Sequence, residues 1–325
     1  MTLAAHGWSP QRQRDFAAHA AEGLAPGRVV GEHRSHFRVA TDAGELSAEA
    51  TGRLRNAAAQ RSDLPGVGDF IALRPATGDG RATIEAVLPR TTALVRKASG
   101  ETRPQLLAAN VDVVFIVTAP DGDFNLPRIE RLLALVAESG ARPVILLNKS
   151  DLAADVKSII DEIATVAPGV AIHAIGAKAG VGLADLAQYF DGNRTVGLIG
   201  SSGVGKSTLT NELLGRAAQA TQEVRAHDSR GRHTTTHRQL FLRPEGGAII
   251  DTPGMRGVET WNAVGDDGAD YGDIEALALT CKFRNCRHDS EPACAVRAAV
   301  ERGELDAERV ARFIKQPHAA HRGAH

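Results

Sequence analysis

Three short motifs in this chain have the composition of a nucleotide-binding site, and their order along the chain is unusual. Gly200-Ser-Ser-Gly-Val-Gly-Lys-Ser207 has the spacing of a phosphate-binding loop, and Asp251-Thr-Pro-Gly254 follows it. Asn148-Lys-Ser-Asp151, which has the pattern of a base-recognition loop, comes before both of them. Each motif directly follows an apolar segment. The fold must therefore bring these motifs together whatever their order in the chain. A parallel sheet can do this, because the loops at the carboxyl ends of its strands lie side by side and bind ligands there.

The phosphate-binding loop lies between an apolar segment and a predicted helix, which is the setting in which this pattern binds phosphate. Its glycines allow backbone N–H groups to surround the β-phosphate, Lys206 reaches the β- and γ-phosphates, and the Ser207 hydroxyl is a ligand for Mg²⁺. An ordinary Gly-rich turn is the alternative. We predict nucleotide contacts from Gly200, Ser201, Ser202, Gly203, Val204, Gly205, Lys206, Ser207 and Thr208.

Asn148, Lys149 and Asp151 favour guanine over adenine. The Asp151 carboxylate can accept hydrogen bonds from guanine N1–H and from the 2-amino group, whereas adenine offers neither donor. Because an adenine base would leave this carboxylate unpaired, a site of this kind can favour guanine over adenine nucleotides by about 10⁴. We expect Asn148 to hold the neighbouring loops together and the Lys149 stem to pack along the base.

A second base-binding element follows the next predicted strand. GTPases usually have Ser-Ala-Lys at this point, with the Ala backbone N–H on guanine O6 and the Lys stem on the ring. Here the residues are Gly176, Ala177 and Lys178, so Gly replaces Ser. A backbone contact survives that replacement, and we therefore predict that Ala177 and Lys178 contact the base.

The third motif predicts the residues around the γ-phosphate. We expect Asp251 in the Mg²⁺ shell and the Gly254 N–H as a sensor of the γ-phosphate. A magnesium-binding threonine is expected among residues 234–236, of which we favour Thr235.

Residue 255 is Met, where Ras-like enzymes have the Gln that orients the attacking water. An apolar side chain cannot orient water, so hydrolysis must depend on another residue or stay slow until a partner completes the site. His233 and His237 are the nearest candidates, and we favour His233 as the catalytic residue. A histidine that only faces solvent or RNA is the alternative.

All three cysteines of the chain lie between residues 281 and 294. Cys281, Cys286, His288 and Cys294 supply three thiolates and one imidazole, a closed tetrahedral set for one structural Zn²⁺. An odd number of cysteines this close together does not fit a disulfide framework. The spacing departs from the common Cys-x2-Cys pattern, so unrelated thiols are the alternative.

Hydrophobic periodicity predicts a multidomain chain. Residues 1–23 predict a helical lead-in, with Ser9 as cap and Pro10 at the first helical position. Residues 24–104 contain five short alternating segments between Gly turns, typical of a small β-barrel such as an OB-fold. Residues 105–272 alternate apolar strands with helices, which indicates an α/β domain with a parallel sheet and, here, a circularly permuted motif order. Residues 273–316 predict a mainly helical zinc-binding module, and residues 317–325 a disordered tail.

Composition excludes several classes of protein. The chain is 43% hydrophobic and 24% charged, which is ordinary for a globular protein in solution. No apolar run approaches the roughly 18 residues of a membrane span, and no secretory signal pattern is present, so we expect a cytoplasmic protein without a membrane partner. We also expect a monomer. The net charge of −1 alone gives no reason to expect nucleic acid. Both ends of the chain carry a small basic excess, which can place anionic partners at the flanks.

Taken together, the chain resembles the circularly permuted GTPases of the ribosome small subunit-dependent GTPase A family (RsgA, also called YjeQ), over residues 24–316. The stretches that carry the resemblance are Asn148-Lys-Ser-Asp151, Gly200-Ser-Ser-Gly-Val-Gly-Lys-Ser207, Gly231-Arg-His-Thr-Thr-Thr236, Asp251-Thr-Pro-Gly254 and Cys281-Lys-Phe-Arg-Asn-Cys286-Arg-His288. The resemblance implies an enzyme that hydrolyses GTP to GDP and binds the small (30S) ribosomal subunit through its 16S rRNA late in assembly. It also implies hydrolysis stimulated by the subunit, release after hydrolysis, and His233 as the catalytic histidine.

Two other functions remain compatible with part of the pattern. One is an RNA-binding scaffold in which the nucleotide only stabilises the fold and turnover is incidental. The other is a P-loop ATPase of unrelated purpose, against which Asp151 argues. The barrel region has few aromatic residues, and we predict that Phe37 and Phe70 belong to its core rather than to a base-stacking platform.

Overall fold

The fold was analysed in a computed structural model, in which the chain divides into two compact units, Met1–Val258 and Glu259–His325. The residues that the structure describes are 2–33, 36–76, 81–96, 105–121, 124–201, 203–215, 238–251, 274, 277–278, 280–281, 286, 288, 291, 294–307 and 310.

The first unit contains one large sheet, a short hairpin and several helices. The strands are β1 (Ala25–Glu32), β2 (Phe37–Thr41), β3 (Gly44–Ala50), β4 (Phe70–Arg74), β5 (Ala82–Val87), β6 (Ala93–Arg96), β7 (Gln105–Ala109), β8 (Val113–Thr118), β9 (Arg142–Leu147), β10 (Ala171–Ala174), β11 (Thr195–Ile199), β12 (Gln239–Leu242) and β13 (Ala248–Asp251). The α-helices are α1 (Pro10–Ala21), α2 (Gly52–Ala57), α3 (Leu126–Ser139), α4 (Val156–Val166) and α5 (Lys206–Leu214). Short 3₁₀ turns cover Leu3–His6, Arg61–Asp63, Ser150–Leu152, Ala177–Ala179 and Ala184–Tyr189.

The predicted β-barrel is confirmed. Its strands follow the order β1-β2-β3-β5-β4, and β4 pairs with β1 to close the barrel. Only β3 and β5 are parallel to one another; the other barrel pairs are antiparallel. Phe70 is 3% exposed and makes an edge contact with Trp8 at 5.7 Å between ring centroids, while Phe37 packs against the barrel core. Both aromatics therefore belong to the interior, as predicted.

The helical lead-in is tied to the barrel by a buried arginine. Arg28 is 1% exposed and donates to the carbonyl oxygens of His6 at 2.5 Å, Gly68 at 3.2 Å and Asn110 at 3.1 Å. Its guanidinium carbon also lies 4.6 Å from the centroid of the Phe70 ring. Burial lowers the pKa of Arg28 to about 10. One side chain thus holds together the N-terminal segment, the barrel and the start of the α/β region.

The α/β region has the predicted parallel sheet. Strands β10, β9, β8, β11 and β13 are parallel neighbours in that order. Helix α3 covers residues 126–139, as the periodicity predicts: Asn125 caps it by accepting from the Arg128 N–H at 2.8 Å, and Gly140 ends it with a φ of +79°.

The barrel and the parallel sheet are parts of one continuous sheet, a connection that the sequence pattern did not predict. Strand β12 pairs with β13 on one side and with β1 on the other, where Gly31 lies opposite Gln239. Val30 and Val67 of the barrel region lie in the same hydrophobic cluster as Val114 of β8 and Ile250 of β13. The barrel therefore packs directly on the strand that leads to the Asp251 motif.

Apolar periodicity predicts helices over residues 152–166 and 183–190, and the structure differs from both predictions. Helix α4 begins at Val156 instead of residue 152, because Asp155 caps it by accepting from the Ser158 N–H at 3.1 Å. The segment expected as a helix over residues 183–190 is a 3₁₀ turn. Strand β12 and the β6–β7 hairpin were not predicted, because these segments are short and lack a clear period.

The second unit contains α6 (Ala295–Glu301), which Cys294 caps. Its buried residues form a small cluster of their own: Ile274, Ala278, Cys286, Cys294, Val296, Ala299, Leu305 and Val310. The predicted disordered tail lies outside the described residues. Within the described ranges of the whole chain, every helix is too short or too polar to cross a lipid bilayer.

Candidate nucleotide-binding site and metal cluster

The motif residues meet at the carboxyl edge of the parallel sheet. Asn148 follows β9, Gly176 comes shortly after β10, Gly200 follows β11, and Asp251 is the last residue of β13. Because β10, β9, β8, β11 and β13 are adjacent and parallel, these loops emerge side by side. The structure therefore brings together motifs that are far apart in the sequence.

Close packing requires glycine at two positions of the phosphate-binding loop. A Cβ atom on Gly200, whose φ is +140°, would lie 2.2 Å from the Val117 carbonyl oxygen. A Cβ atom on Gly205, whose φ is +96°, would lie 2.3 Å from Asn148 Nδ2. Helix α5 starts at the next residue, so its first turn, which contains the exposed Ser207 and Thr208, adjoins the loop. A helix N-terminus in this position attracts anions.

Two cationic side chains contact this loop. Lys206 Nζ donates to the Gly200 carbonyl oxygen at 2.5 Å and also to that of Ser201. Arg128, in the first turn of α3, donates to the Ser201 hydroxyl oxygen. Ser201 is only 5% exposed. The two positive charges favour a phosphate group at the loop.

Asn148 joins three of the loops. It is 2% exposed, and its Nδ2 donates to the Val204 carbonyl oxygen at 2.7 Å. Its Oδ1 accepts from the Ala177 N–H at 3.0 Å, and its backbone N–H donates to the Thr118 carbonyl oxygen at 2.8 Å. The base-recognition loop, the phosphate-binding loop and the Ala177 turn are therefore held in one arrangement by a single amide.

The remaining base-recognition residues lie around this amide. Lys149 has a φ of +58°, and its Nζ forms an ion pair with Asp121 Oδ2 at 2.8 Å. The carboxylate of Asp151 is exposed, and Ala177 is buried next to the exposed Lys178. An exposed carboxylate beside two long aliphatic stems offers a guanine ring both an acceptor for its donors and apolar contact with its faces.

Several predicted site residues lie outside the described part of the chain. These residues are Ser202, His233, Thr234, Thr235, Thr236, His237 and Gly254. Only the backbone of Asp251 is described. Sequence reasoning missed Arg128, although its position three residues after the Asn125 cap, in the helix that follows β8, places it at the same edge of the sheet.

In the second unit, the predicted metal ligands lie together. The ligand atoms of Cys281, Cys286, His288 and Cys294 are all within 4.8 Å of one another. Cys281 Sγ is 3.5 Å from His288 Nδ1 and 3.9 Å from Cys294 Sγ, and His288 Nδ1 is 3.4 Å from Cys294 Sγ. Metal–sulfur bonds of about 2.3 Å and metal–nitrogen bonds of about 2.0 Å in a tetrahedron give separations of about 3.5 to 3.8 Å. The cluster is therefore compatible with one zinc ion.

The surroundings of the thiols also favour a cation. Cys286 is 1% exposed, and burial raises the pKa of its thiol to about 12, although a hydrogen bond from the His288 backbone acts in the opposite direction. The neighbouring thiols of Cys294 and Cys281 raise it further. With its pKa raised in this way the thiol stays protonated, and it would ionise together with the binding of a divalent metal ion, which supplies the missing positive charge.

Comparisons with known proteins agree with this geometry. A profile of the RsgA GTPase family matches residues 87–261. A small ribosomal subunit biogenesis GTPase RsgA from Opitutus terrae is 44% identical over 338 residues, covering 99% of this chain and 92% of that protein. A protein of the same name, RsgA 2, from Lactiplantibacillus plantarum is 44% identical over 289 residues, covering 89% of this chain and 81% of that protein. The crystal structure of YjeQ from Thermotoga maritima superimposes with a TM-score of 0.53 at 26% identity and covers 90% of this chain and 96% of that one.

Proposed function

This chain belongs to the RsgA GTPase family and hydrolyses GTP, and on that basis we propose that it is a late assembly factor of the small ribosomal subunit. It binds the 30S subunit through 16S rRNA, the subunit stimulates GTP hydrolysis, and hydrolysis releases the protein. The observation that carries this proposal is the 44% identity, over 99% of the chain, to a protein named for small ribosomal subunit biogenesis. We place this activity in the cytoplasm and assign it to the monomer.

Guanine selection is assigned to the loops that Asn148 joins. Asp151 accepts from guanine N1–H and the 2-amino group. The Ala177 N–H is assigned to guanine O6, for which it would leave its 3.0 Å hydrogen bond to Asn148 Oδ1. The stems of Lys149 and Lys178 pack on the ring. The exposure of Asp151 and the ion pair that holds Lys149 at 2.8 Å from Asp121 support these roles.

Phosphate binding is assigned to residues 200–208. Lys206 holds the β- and γ-phosphates, and Arg128 keeps the loop in place through Ser201. Ser207, Thr235 and Asp251 would hold Mg²⁺, which neutralises phosphate charge when bound.

At the γ-phosphate, the Gly254 N–H senses the phosphate group, and His233 assists the attack of water. Met255 cannot orient that water, so intrinsic turnover is slow.

In the second unit, Cys281, Cys286, His288 and Cys294 hold one structural Zn²⁺. The separations of 3.4 to 3.9 Å among the ligand atoms of Cys281, His288 and Cys294, with that of Cys286 within 4.8 Å of them, support this assignment. The ion cross-links residues 281–294 in a unit whose hydrophobic cluster is small.

The proposal is tested by measuring GTP turnover with and without purified 30S subunits. We expect the subunit to raise turnover, and binding to the subunit to be tighter with a GTP analogue than with GDP. Replacing His233 by Ala should remove most of the stimulated rate and leave nucleotide binding intact. Equal turnover with and without subunits, together with equal binding in both nucleotide states, would contradict the proposal and favour an RNA-binding scaffold.

A further inference from the structure

Hydrogen bonds hold the two base-recognition loops in a fixed relative position. The backbone N–H and the hydroxyl of Ser150 both donate to the Ile175 carbonyl oxygen, each at 3.0 Å. Gly176 and Val181 exchange two backbone hydrogen bonds, at 3.0 and 3.2 Å. The backbone of Gly176 is therefore anchored on both sides, directly beside the loop that carries Asp151.

Gly176 lies next to the Asp151 carboxylate. A Cβ atom built on Gly176 would lie 3.0 Å from Asp151 Oδ1 and 3.7 Å from Asp151 Cγ. The φ of Gly176 is −122°, which any residue can adopt. Asp151 is exposed, and among the residues that the structure describes none donates a hydrogen bond to its carboxylate. The 3.0 Å contact is tighter than an ordinary van der Waals contact, so the exposed carboxylate must move by a few tenths of an ångström to admit a Cβ atom. A hydroxyl one bond beyond that Cβ atom is then within reach of the carboxylate.

We propose that Gly176 is a specificity-determining position, and that it weakens guanine recognition because it has no side chain that could donate to the Asp151 carboxylate, which receives no hydrogen bond from any described residue. The inference rests on the proposed function, because it assumes that Asp151 binds the guanine base. It goes further by naming the residue that limits how well this carboxylate is oriented. As a result, the chain binds guanine nucleotides less tightly, and releases GDP faster, than the same chain with Ser at this position.

Chemistry allows the extra donor and the base to bind together. A carboxylate has about four lone-pair sites, and guanine uses two of them, so a hydroxyl at residue 176 does not compete with the base. A carboxylate already held in its binding orientation loses less freedom when the nucleotide arrives. Since a hydrogen bond to a charged group is worth more than a neutral one, and this carboxylate is exposed, we expect tighter binding by about threefold to tenfold.

The experiment compares Gly176→Ser with Gly176→Ala in the full-length chain. Both variants add the Cβ atom, and only Ser adds the hydroxyl, so Ala is the matched control. Binding of GDP and of inosine diphosphate, whose base lacks the 2-amino group, is measured by displacement of a fluorescent GDP. Dissociation rates are measured in the same way, and thermal melting checks that each variant is folded.

We expect Gly176→Ser to bind GDP about threefold to tenfold more tightly than the unaltered chain, to release it correspondingly more slowly, and to discriminate more strongly against inosine diphosphate. Gly176→Ala should show none of these gains. Equal affinities for GDP in the Ser and Ala variants would overturn the proposal.

A second variant separates this inference from the proposed function. In an Asp151→Ala background, the gain from Gly176→Ser should disappear, because no side-chain acceptor remains at residue 151. If the gain persisted there, residue 176 would act by another route and the inference would be wrong. If Asp151→Asn kept full preference for guanine over inosine, the assignment of Asp151 itself would be wrong. The 30S-stimulated turnover is a separate measurement, so its absence would contradict the assembly role without affecting the Gly176 result.

Discussion

Asn148 is the residue whose replacement tests the site most directly, because it joins three loops. Replacing it by Asp keeps its shape and its acceptor for the Ala177 N–H, and removes the donor to the Val204 carbonyl oxygen, now 2.7 Å away. At neutral pH or above, a carboxylate would face that carbonyl in a place that is 2% exposed.

The free-energy cost of Asn148→Asp follows from this geometry. The variant loses a buried hydrogen bond of about 1 kcal/mol and leaves the Val204 carbonyl without its donor, at a further cost of about 1 to 3 kcal/mol. The total of about 2 to 4 kcal/mol corresponds to a factor of about 30 to 1,000. Part of this free energy is lost from the stability of the fold. The rest lowers nucleotide affinity, because GDP must then order the loops when it binds.

The variant also has a pH dependence with a defined sign. Burial raises the pKa of the introduced carboxyl group, so lowering the pH protonates it. The neutral acid can donate to the Val204 carbonyl oxygen as the amide did. Binding of GDP by Asn148→Asp should therefore improve relative to the unaltered chain as the pH falls from 8 to 6.

A fluorescent GDP analogue measures the affinity at each pH, with thermal melting as a check of folding. The control is Ser150→Ala in the same loop: the Ile175 carbonyl still accepts from the Ser150 N–H, so affinity should change by less than about threefold. If Asn148→Asp bound GDP at pH 8 as well as this control does, or if its relative affinity did not depend on pH, the reasoning about Asn148 would be refuted.

The remaining predictions concern stability. Arg90→Met should lower the free energy of unfolding in urea by about 3 to 5 kcal/mol, because Arg90 donates to the fully buried Asp69 carboxylate at 2.7 and 2.8 Å. The control Arg53→Met breaks an exposed pair with Glu85 and should lower it by less than about 1 kcal/mol. Equal losses in the two variants would contradict this explanation. Burial lowers the pKa of His6 below 6.5, so the unfolded chain binds the proton more readily than the folded chain. The contribution of His6 to stability should therefore be complete above pH 6.5 and fall at lower pH, and the melting temperature of His6→Asn should fall less over the same range. An identical fall in both chains would contradict this role of His6. Elemental analysis should find one zinc ion per chain, and Cys286→Ser should lower both the zinc content and the melting temperature. Full zinc content in that variant would show that Cys286 is not a zinc ligand.

Most of the fold could be read from the sequence because local patterns and tertiary structure agree. The alternating segments of residues 24–104 predict strands, and the five strands do close into a barrel. The limits of α3 follow from its caps, Asn125 and Gly140. The β12 strand escaped prediction because it is four residues long, and its pairing with β1 joins residues far apart in the sequence. Local periodicity carries no information about such a pairing.

For the site, the chemical groups could be read directly from the amino-acid sequence: a phosphate-binding loop, a carboxylate suited to guanine and a set of metal ligands. These follow from residue types at fixed spacings within single loops. Which loops meet could be seen only in the three-dimensional fold, where the Asn148 amide connects Val204 to Ala177 and Arg128 reaches Ser201 from another helix. It also placed Gly176 so close to Asp151 that an added Cβ atom would press on the carboxylate. Contacts of this kind depend on the three-dimensional positions of strand ends, which sequence order does not specify and which a circular permutation leaves unchanged.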